Sequence, residues 1–272
     1  MEVDVSTVLG GVPLPLCAMN AAGAGSSTAA EMRALAASET GAVVMKSTTV
    51  EAVTEDNPAL AGLVNPGYRA FLSLLGELRA TGKPVIASLA GFSVEAYTEM
   101  VQAYDSAGAD IIELNLADPQ VVCNTGGACN TEVVRAILSQ VRALRVTAPL
   151  AVKLPPFQSC AHLNDTLHVL RQMAVPIVIC MNAPVGDTPS STHVQVACEV
   201  GRDSFDVVAV GGVKNGQETY QAVAQGAAAV QIGGAVQQEG PGLFGQLKAD
   251  LAALLQQNGY NRLSDLRRAS QV

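Results

Sequence analysis

The chain has 272 residues, of which 49% are hydrophobic and 15% are charged, and its formal net charge at pH 7 is -8. So many apolar residues exclude an intrinsically disordered chain and suffice for a sizeable core. A negative charge without runs of Lys or Arg argues against binding to nucleic acid or to an anionic membrane surface. No apolar run is long enough to span a bilayer, and the first residues lack the basic start and apolar core of a signal peptide.

The cysteines and histidines show no pattern typical of a disulfide framework or a metal site. A chain of this length does not need disulfides, and none of its cysteines form a CxxC pair, so we expect reduced thiols in the cytoplasm or in an organelle matrix. The histidines lie at no metal-ligand spacing, so we expect no metal. The residues concerned are Cys17, Cys123, Cys129, Cys160, Cys180 and Cys198, and His162, His168 and His193.

A unit of strand, loop and amphipathic helix recurs along the chain. The segments ETGAVVMKS, SAGADIIELN and QGAAAVQIGG lead into a strand in the same way, and we interpret their Gly as the C-cap of the preceding helix. Each apolar run is typical of a strand that is buried on both faces. In chain order the eight predicted strands are LCAMNAAG, AVVMKST, PVIASLAG, DIIELNLA, LAVKLPP, IVICMNA, DVVAVGG and AVQIGGA.

Helix start and stop patterns separate most of these strands. Thr28 with Glu31 predicts a capping box, and Ser93 predicts the N-cap of the helix after the third strand. Pro241 and Gly259 predict the first turn and the end of the last long helix.

Eight strands alternating with helices predict a (β/α)8 TIM barrel. No strong linker or low-complexity tract divides the chain, so we expect a single domain over residues 1–272. A doubly wound parallel sheet is the alternative, but the segment from Gly23 to Thr28, GAGSST, is only an incomplete dinucleotide motif.

In a TIM barrel the active site lies at the carboxyl ends of the strands. Two lysines, Lys46 and Lys153, fall there, and a lysine within a strand is costly to bury without an acceptor or an anion. Either the pair binds an anionic ligand, or each lysine pairs with Glu113 or another carboxylate, or extends its ammonium group to water. Other small or polar residues at these strand ends are Asn20, Gly23, Ser47, Asn115, Asn182, Gly211, Gly212, Gly233 and Gly234.

The glycine pairs after the seventh and eighth strands have two explanations. Their bare backbone N–H groups, with a short helix near QQEGPGLF, can bind a phosphate, or the glycines simply meet the positive φ of tight turns. A phosphate site together with two lysines and asparagine amides suits flavin mononucleotide (FMN), because the lysines would stabilise negative charge on the reduced ring.

Motifs along nearly the whole chain resemble the dihydroorotate dehydrogenase family, most closely its soluble class 1A, which binds FMN and uses fumarate. The motifs are MNAAG, GAVVMKSTT, ELNLxxP, VKLPPF, ICMNA, VGGV and AAVQIGGAVQQEGPGLFGQLKADLAALLQQNGY. In that family a base takes a proton from dihydroorotate, a hydride passes to the flavin, and fumarate reoxidises it in pyrimidine biosynthesis. Class members are homodimers, so we expect a homodimer or a subunit of a larger assembly.

The resemblance assigns roles by position. Lys46 and Lys153 would contact the flavin ring, and Asn115, Gln120 and Asn182 would face the substrate. The ring would be lined by Ala21, Gly23, Ser47 and Asn115, and the phosphate would be held by Gly211, Gly212, Gly233 and Gly234.

The chain departs from the family where the family binds substrate. The family's Ser-Cys-Pro-Asn, whose Cys is the base, is replaced by Ala117, Asp118, Pro119 and Gln120. A carboxylate can accept a proton, but its reference pKa of about 3.9 makes it a weak base unless burial raises that value. Asp118 is either the base of this protein or a solvated loop acid that stabilises the turn before Pro119.

Further departures accompany this one. Ala183 replaces a substrate-binding Ser, and Gly234 replaces a Thr near the phosphate. The substrate loop is shortened to residues 62–65, and the stretch between Asn182 and Gly211 is also short. Two hypotheses follow: a divergent FMN-dependent oxidoreductase that acts on dihydroorotate or another small acid, or a non-catalytic relative that serves as a binding or structural subunit.

Overall fold

The computed structural model of the chain describes residues 3–123, 129–180 and 191–269. Its strands are β1 (Thr7–Leu9), β2 (Val12–Leu14), β3 (Ala18–Asn20), β4 (Val43–Val44), β5 (Val85–Leu89), β6 (Ile111–Asn115), β7 (Leu150–Lys153), β8 (Ile177–Cys180), β9 (Asp206–Val210) and β10 (Ala229–Ile232). Its helices are α1 (Ala29–Ala36), α2 (Tyr68–Arg79), α3 (Val94–Ser106), α4 (Thr131–Ala143), α5 (Cys160–Gln172), α6 (Ser191–Gly201), α7 (Gly216–Ala224), α8 (Gly234–Glu239), α9 (Leu243–Gln257) and α10 (Leu263–Ala269), with a 3-10 helix at Pro58–Leu63.

Within this described part, strands β3 to β10 form one parallel sheet of eight strands with the order β3-β10-β9-β8-β7-β6-β5-β4. Each of the eight predicted strands contains one of them. The two end strands of the sheet, β3 and β4, also meet, because the Gly41 N–H donates to the Ala18 carbonyl (2.8 Å). The Asn20 side chain adds two hydrogen bonds to Val44, of 2.7 and 2.9 Å. The sheet is therefore a nearly closed barrel with helices between its strands, and the predicted (β/α)8 fold is confirmed.

Strands β1 and β2 form an antiparallel hairpin, which was not among the predicted elements. Its turn consists of Gly10 and Gly11, whose φ values are +56° and +89°. Leu9 and Leu14 from the hairpin join the apolar cluster inside the barrel, where they lie with residues such as Ile177 at the start of its strand. The hairpin thus fills the amino-terminal end of the barrel and leaves ligand access to the opposite end.

The predicted caps agree with the structure except near Pro241. Thr28 and Glu31 form the capping box of α1, and the Ser93 side chain accepts from the Ala96 N–H at the start of α3. Gly259, with a φ of +80°, follows α9. Pro241 lies two residues before Leu243, the first residue of α9, so its predicted place in the first turn is wrong.

The Gly before a strand has two different structural reasons. Gly108 and Gly226 follow α3 and α7 with positive φ, as a helix C-cap requires. Gly41 does not cap a helix, because α1 ends at Ala36. A Cβ at Gly41 would lie 1.8 Å from the Leu16 carbonyl oxygen, so close approach of two backbone segments explains this glycine.

Candidate active site

The predicted site residues that the structure describes lie at one end of the barrel. Asn115 and Lys153 are the last residues of β6 and β7, and Lys46 lies two residues beyond β4. Gly211 and Gly233 directly follow β9 and β10. Because the strands are parallel, these positions share the carboxyl-terminal mouth. Asn182 and the neighbouring Ala183 lie outside the described residues.

Below the mouth, the buried carboxylate of Glu113 is held by three strands around it. Ser88 Oγ donates to Glu113 Oε1 (2.8 Å), and Gln231 Nε2 donates to Oε2 (2.8 Å). Lys153 Nζ lies 3.9 Å from Oε1. A buried carboxylate needs such partners, because leaving water without them is very unfavourable. Glu113 was one of the anticipated lysine partners. Ser88 and Gln231 were not predicted as site residues. The available sign in the sequence was that each is a polar residue within an apolar strand.

Hydrogen bonds extend this network from Glu113 to the mouth. Ser47 Oγ lies 2.9 Å from Ser88 Oγ and accepts from Asn115 Nδ2 (3.0 Å). Asn115 Oδ1 accepts from the Ala117 N–H (3.0 Å). The Asn115 amide is therefore oriented by protein groups before any ligand is considered.

Lys46 lies half-buried beneath the 3-10 helix, and its Nζ donates to the Gly62 carbonyl (2.7 Å). Burial lowers the pKa of the Lys46 ammonium; the carboxylate of Asp118 opposes this shift and the ammonium of Lys153 adds to it. Gly23 lies beside this lysine, since a Cβ there would be 3.4 Å from Nζ. Two cations and one anion therefore share the mouth.

Asp118 is partly buried and lies on the mouth side of its loop. Its Oδ1 accepts from the N–H of exposed Gln120 (2.9 Å), the hydrogen bond of an Asx turn. Its Oδ2 would lie 3.5 Å from a Cβ at Gly62, the residue that binds Lys46. Asp118 thus supports its turn and also lies near Lys46, and its role as a base stays a prediction.

The two glycine pairs differ in why they are glycine. Gly211 and Gly212 have φ values of +98° and +74°, so a tight turn needs glycine at both positions whether or not their N–H groups also bind a phosphate. Gly233 has a φ of -100° and is the N-cap residue of α8, which has no side-chain cap. A Cβ at Gly234 would meet nothing within 4 Å. Positive φ therefore does not explain the glycines after β10. The space beside their backbone is open, as a phosphate site requires.

The remaining candidate nucleophiles do not supply a substitute base. Cys123 is buried, and a hydrogen bond with Cys123 together with burial raises the pKa of the Cys129 thiol, which disfavours its thiolate. His162 and His168 are exposed on α5. Over the three described ranges, no group of three or more His, Cys, Asp or Glu residues could hold a metal ion. Nor is any helix there long and apolar enough to cross a membrane.

Ligands of a (β/α)8 barrel bind at the carboxyl end of its strands, and here that end holds two lysines, open glycine backbone and a buried carboxylate network. The family model for dihydroorotate dehydrogenase matches residues 5–196. The chain therefore belongs to the dihydroorotate dehydrogenase family, as its motifs predicted.

Individual relatives support this assignment, and a solved structure has the same fold. The chain is 30% identical over 294 residues to "Putative dihydroorotate dehydrogenase A (fumarate)" of Streptococcus equi subsp. equi, covering 92% of this chain and 93% of the relative. It is 28% identical over 308 residues to the protein of the same name from Streptococcus pyogenes serotype M18, covering 97% of both chains. Ligand-free DHODH from Eimeria tenella has the same fold, with a TM-score of 0.83 at 16% identity over 97% of this chain and 91% of that chain.

Proposed function

We propose that this protein is an FMN-dependent oxidoreductase that oxidises dihydroorotate or a similar small acid, with fumarate as the electron acceptor. The observation that carries the proposal is the state of Lys153. Its side chain is buried, yet among the described residues its Nζ has no hydrogen bond and only one ion-pair partner, Glu113 at 3.9 Å. Its ammonium protons are therefore available to an electron-rich ligand at the mouth. Bound FMN would supply the hydride acceptor that such an oxidation needs.

The residues at the mouth fit FMN. Lys46 and Lys153 would place positive charge near the ring, which favours its reduced form. The open backbone after β10 fits the phosphate, because bare N–H groups donate to its oxygens. In this proposal the ring is lined by Ala21, Gly23, Ser47 and Asn115, and the phosphate is held by Gly211, Gly212, Gly233 and Gly234.

Asp118 is the proposed proton acceptor. It lies at the family's base position and next to the segment that binds Lys46. A carboxylate at this position can accept a proton from a substrate that lies over the mouth, as general-base catalysis requires. Gln120 and Asn182 are proposed to contact the substrate.

A non-catalytic role is the second candidate, and the pairing at the mouth favours it. Lys46 is hydrogen-bonded to Gly62, Asp118 to Gln120, and Asn115 to Ala117 and Ser47. A substrate that needs Lys46 must displace the Gly62 carbonyl. Such a relative would act as a binding or structural subunit, with or without flavin.

The absorbance spectrum of the purified protein distinguishes these functions. Oxidised-flavin bands, present at purification or after adding FMN, that bleach with dihydroorotate under anaerobic conditions and return with fumarate support the enzyme. Bands that persist with dihydroorotate support flavin binding without this reaction. Protein that takes up no FMN overturns the proposed function.

Two variants test the base. Asp118→Asn should keep the bands and lose the bleaching, because an amide accepts no proton at neutral pH. Asp105→Asn is the matched control. Asp105 also accepts backbone N–H groups, from Thr147 and Ala148 at 2.8 Å, but it lies in the last turn of α3, the helix that leads into the amino end of β6. Bleaching that is equal in both variants would remove Asp118 from the proposal.

We further propose that residues 1–272 form a single domain and that the protein is a cytoplasmic homodimer. Family membership supports the dimer. Sedimentation velocity of the purified protein tests it, and a monomer at micromolar concentration would contradict it.

A further inference from the structure

The hydrogen bond between Gln231 and Glu113 crosses the interior of the barrel. Gln231 lies on β10 and Glu113 on β6, which stand four strands apart in the order of the eight-stranded sheet and so face each other. The 2.8 Å bond from Gln231 Nε2 to Glu113 Oε2 joins residues 118 positions apart in the chain. It ties the strand before the proposed phosphate site to the strand that carries Asn115.

Among the described residues, the NH2 group of the Gln231 amide has a hydrogen-bond partner and its carbonyl oxygen has none. A carboxylate accepts hydrogen bonds but donates none, so the NH2 group of Gln231 has to face Glu113 and the carbonyl oxygen has to turn away. Gln231 Oε1 is buried and has no hydrogen-bond partner within the described ranges. Leaving a buried acceptor unpaired is unfavourable, so a stable fold alone does not explain the choice of an amide at this position.

Lys153 meets the other oxygen of the same carboxylate. Its Nζ is 3.9 Å from Glu113 Oε1, which also accepts from Ser88 Oγ at 2.8 Å. Lys153 therefore interacts electrostatically with Glu113 without a direct hydrogen bond to it. Any group that changes how strongly Glu113 is neutralised changes the positive charge that Lys153 presents to the mouth.

We propose that Glu113 and Gln231 are positioning residues that act through Lys153 to set the reduction potential of the bound flavin. This inference rests on the proposed function, because it requires FMN at the mouth. The negative charge of Glu113 partly cancels the positive potential of Lys153 at the flavin. The Gln231 amide donates a hydrogen bond to this carboxylate and so reduces that cancellation. Reduced flavin carries more negative charge than oxidised flavin, so the balance sets the relative affinity for the two forms.

Two variants should move the potential in opposite directions. Glu113→Gln removes the negative charge beside Lys153, so the affinity for reduced relative to oxidised FMN should rise at least tenfold, about 30 mV for a two-electron couple. Gln231→Met removes the donor but keeps a similar volume. The carboxylate should then draw Lys153 closer, and the potential should fall. A loss of packing alone would not give shifts of opposite sign.

Asp206→Asn is the matched control. It also removes one carboxylate charge from the barrel, but Asp206 starts β9 at the amino-terminal end, where it pairs with Arg267 at 2.8 Å. Its potential should equal that of the wild type.

The experiment is a redox titration of FMN-loaded wild type and the three variants against a reference dye, with FMN affinity measured in parallel. If Glu113→Gln does not fold, Gln231→Met against Asp206→Asn decides the question. FMN bound with potentials equal to the wild type, or shifted in the same direction in both variants, overturns this inference alone. Wild-type protein that takes up no FMN overturns the inference together with the proposed function.

Discussion

The replacement Asn20→Leu tests how the barrel is closed. Asn20 is fully buried, its Nδ2 donates to the Val44 carbonyl (2.7 Å), and its Oδ1 accepts from the Val44 N–H (2.9 Å). Its side chain thus takes the place of a backbone ladder between β3 and β4, near the proposed site. Leucine has a similar volume but no polar atoms, so both backbone groups of buried Val44 would lose their partner. Each unpaired buried group costs about 1–3 kcal/mol, which gives a loss of about 2–6 kcal/mol.

Urea unfolding of the FMN-free protein measures this loss as a change in the free energy of unfolding. Asn258→Leu is the control. Its amide also donates to a backbone carbonyl, that of Leu254 at 2.8 Å, but the residue is exposed. Water can replace that bond, so the control should change stability by less than about 0.5 kcal/mol. An Asn20→Leu loss as small as that of the control would show that the Asn20 amide does not hold the barrel closed.

Two other predictions concern a close backbone approach and a buried charge. Gly41→Ala should destabilise the protein by about 1–3 kcal/mol or more, because its Cβ would lie 1.8 Å from the Leu16 carbonyl oxygen. Gly245 lies in α9, and a Cβ there would meet nothing within 4 Å, so Gly245→Ala should instead stabilise the protein by up to about 1 kcal/mol. Thermal unfolding measures both changes. Midpoints of the two variants that shift in the same direction would contradict this explanation. Burial lowers the pKa of Lys46 in the folded protein below the 10.5 of the unfolded chain. Between these two pKa values the unfolded chain binds more protons than the folded protein, so stability rises with pH. The stability of the wild type relative to Lys46→Met should therefore rise with pH up to about 10.5. Urea unfolding across that range checks the slope, and a flat or falling difference would contradict it.

The barrel strands could be predicted from sequence because each is a short apolar run bounded by glycine or polar residues. A strand buried on both faces leaves that pattern wherever it lies in the chain. The β1–β2 hairpin was missed because its strands have three residues each. Gly10-Gly11 between apolar residues was the available sign, since both turn residues have positive φ.

The positions of Lys46 and Lys153 followed from the strand ends, but their partners did not. The contact of Lys46 with Gly62 depends on how the shortened segment folds over the mouth. The contact between Gln231 and Glu113 exists only because the sheet curves until β10 faces β6. No local pattern reports such a contact, since the residues are distant in sequence and each is one polar residue in an apolar strand.

The two ends of the barrel interior differ in polarity. At the amino end, Leu9, Leu14 and Ile177 pack as an ordinary apolar core. Toward the mouth the same interior holds the Glu113–Lys153 pair and Gln231 Oε1, which has no hydrogen-bond partner among the described residues. Replacing a buried ion pair by apolar residues is often neutral or stabilising by about 1–4 kcal/mol, so the polar half of the interior does not serve stability alone. A ligand that uses the charge of Lys153 would account for it. Flavin binding is therefore the property to measure first, and turnover is the property that Asp118 and the loop around Gly62 decide.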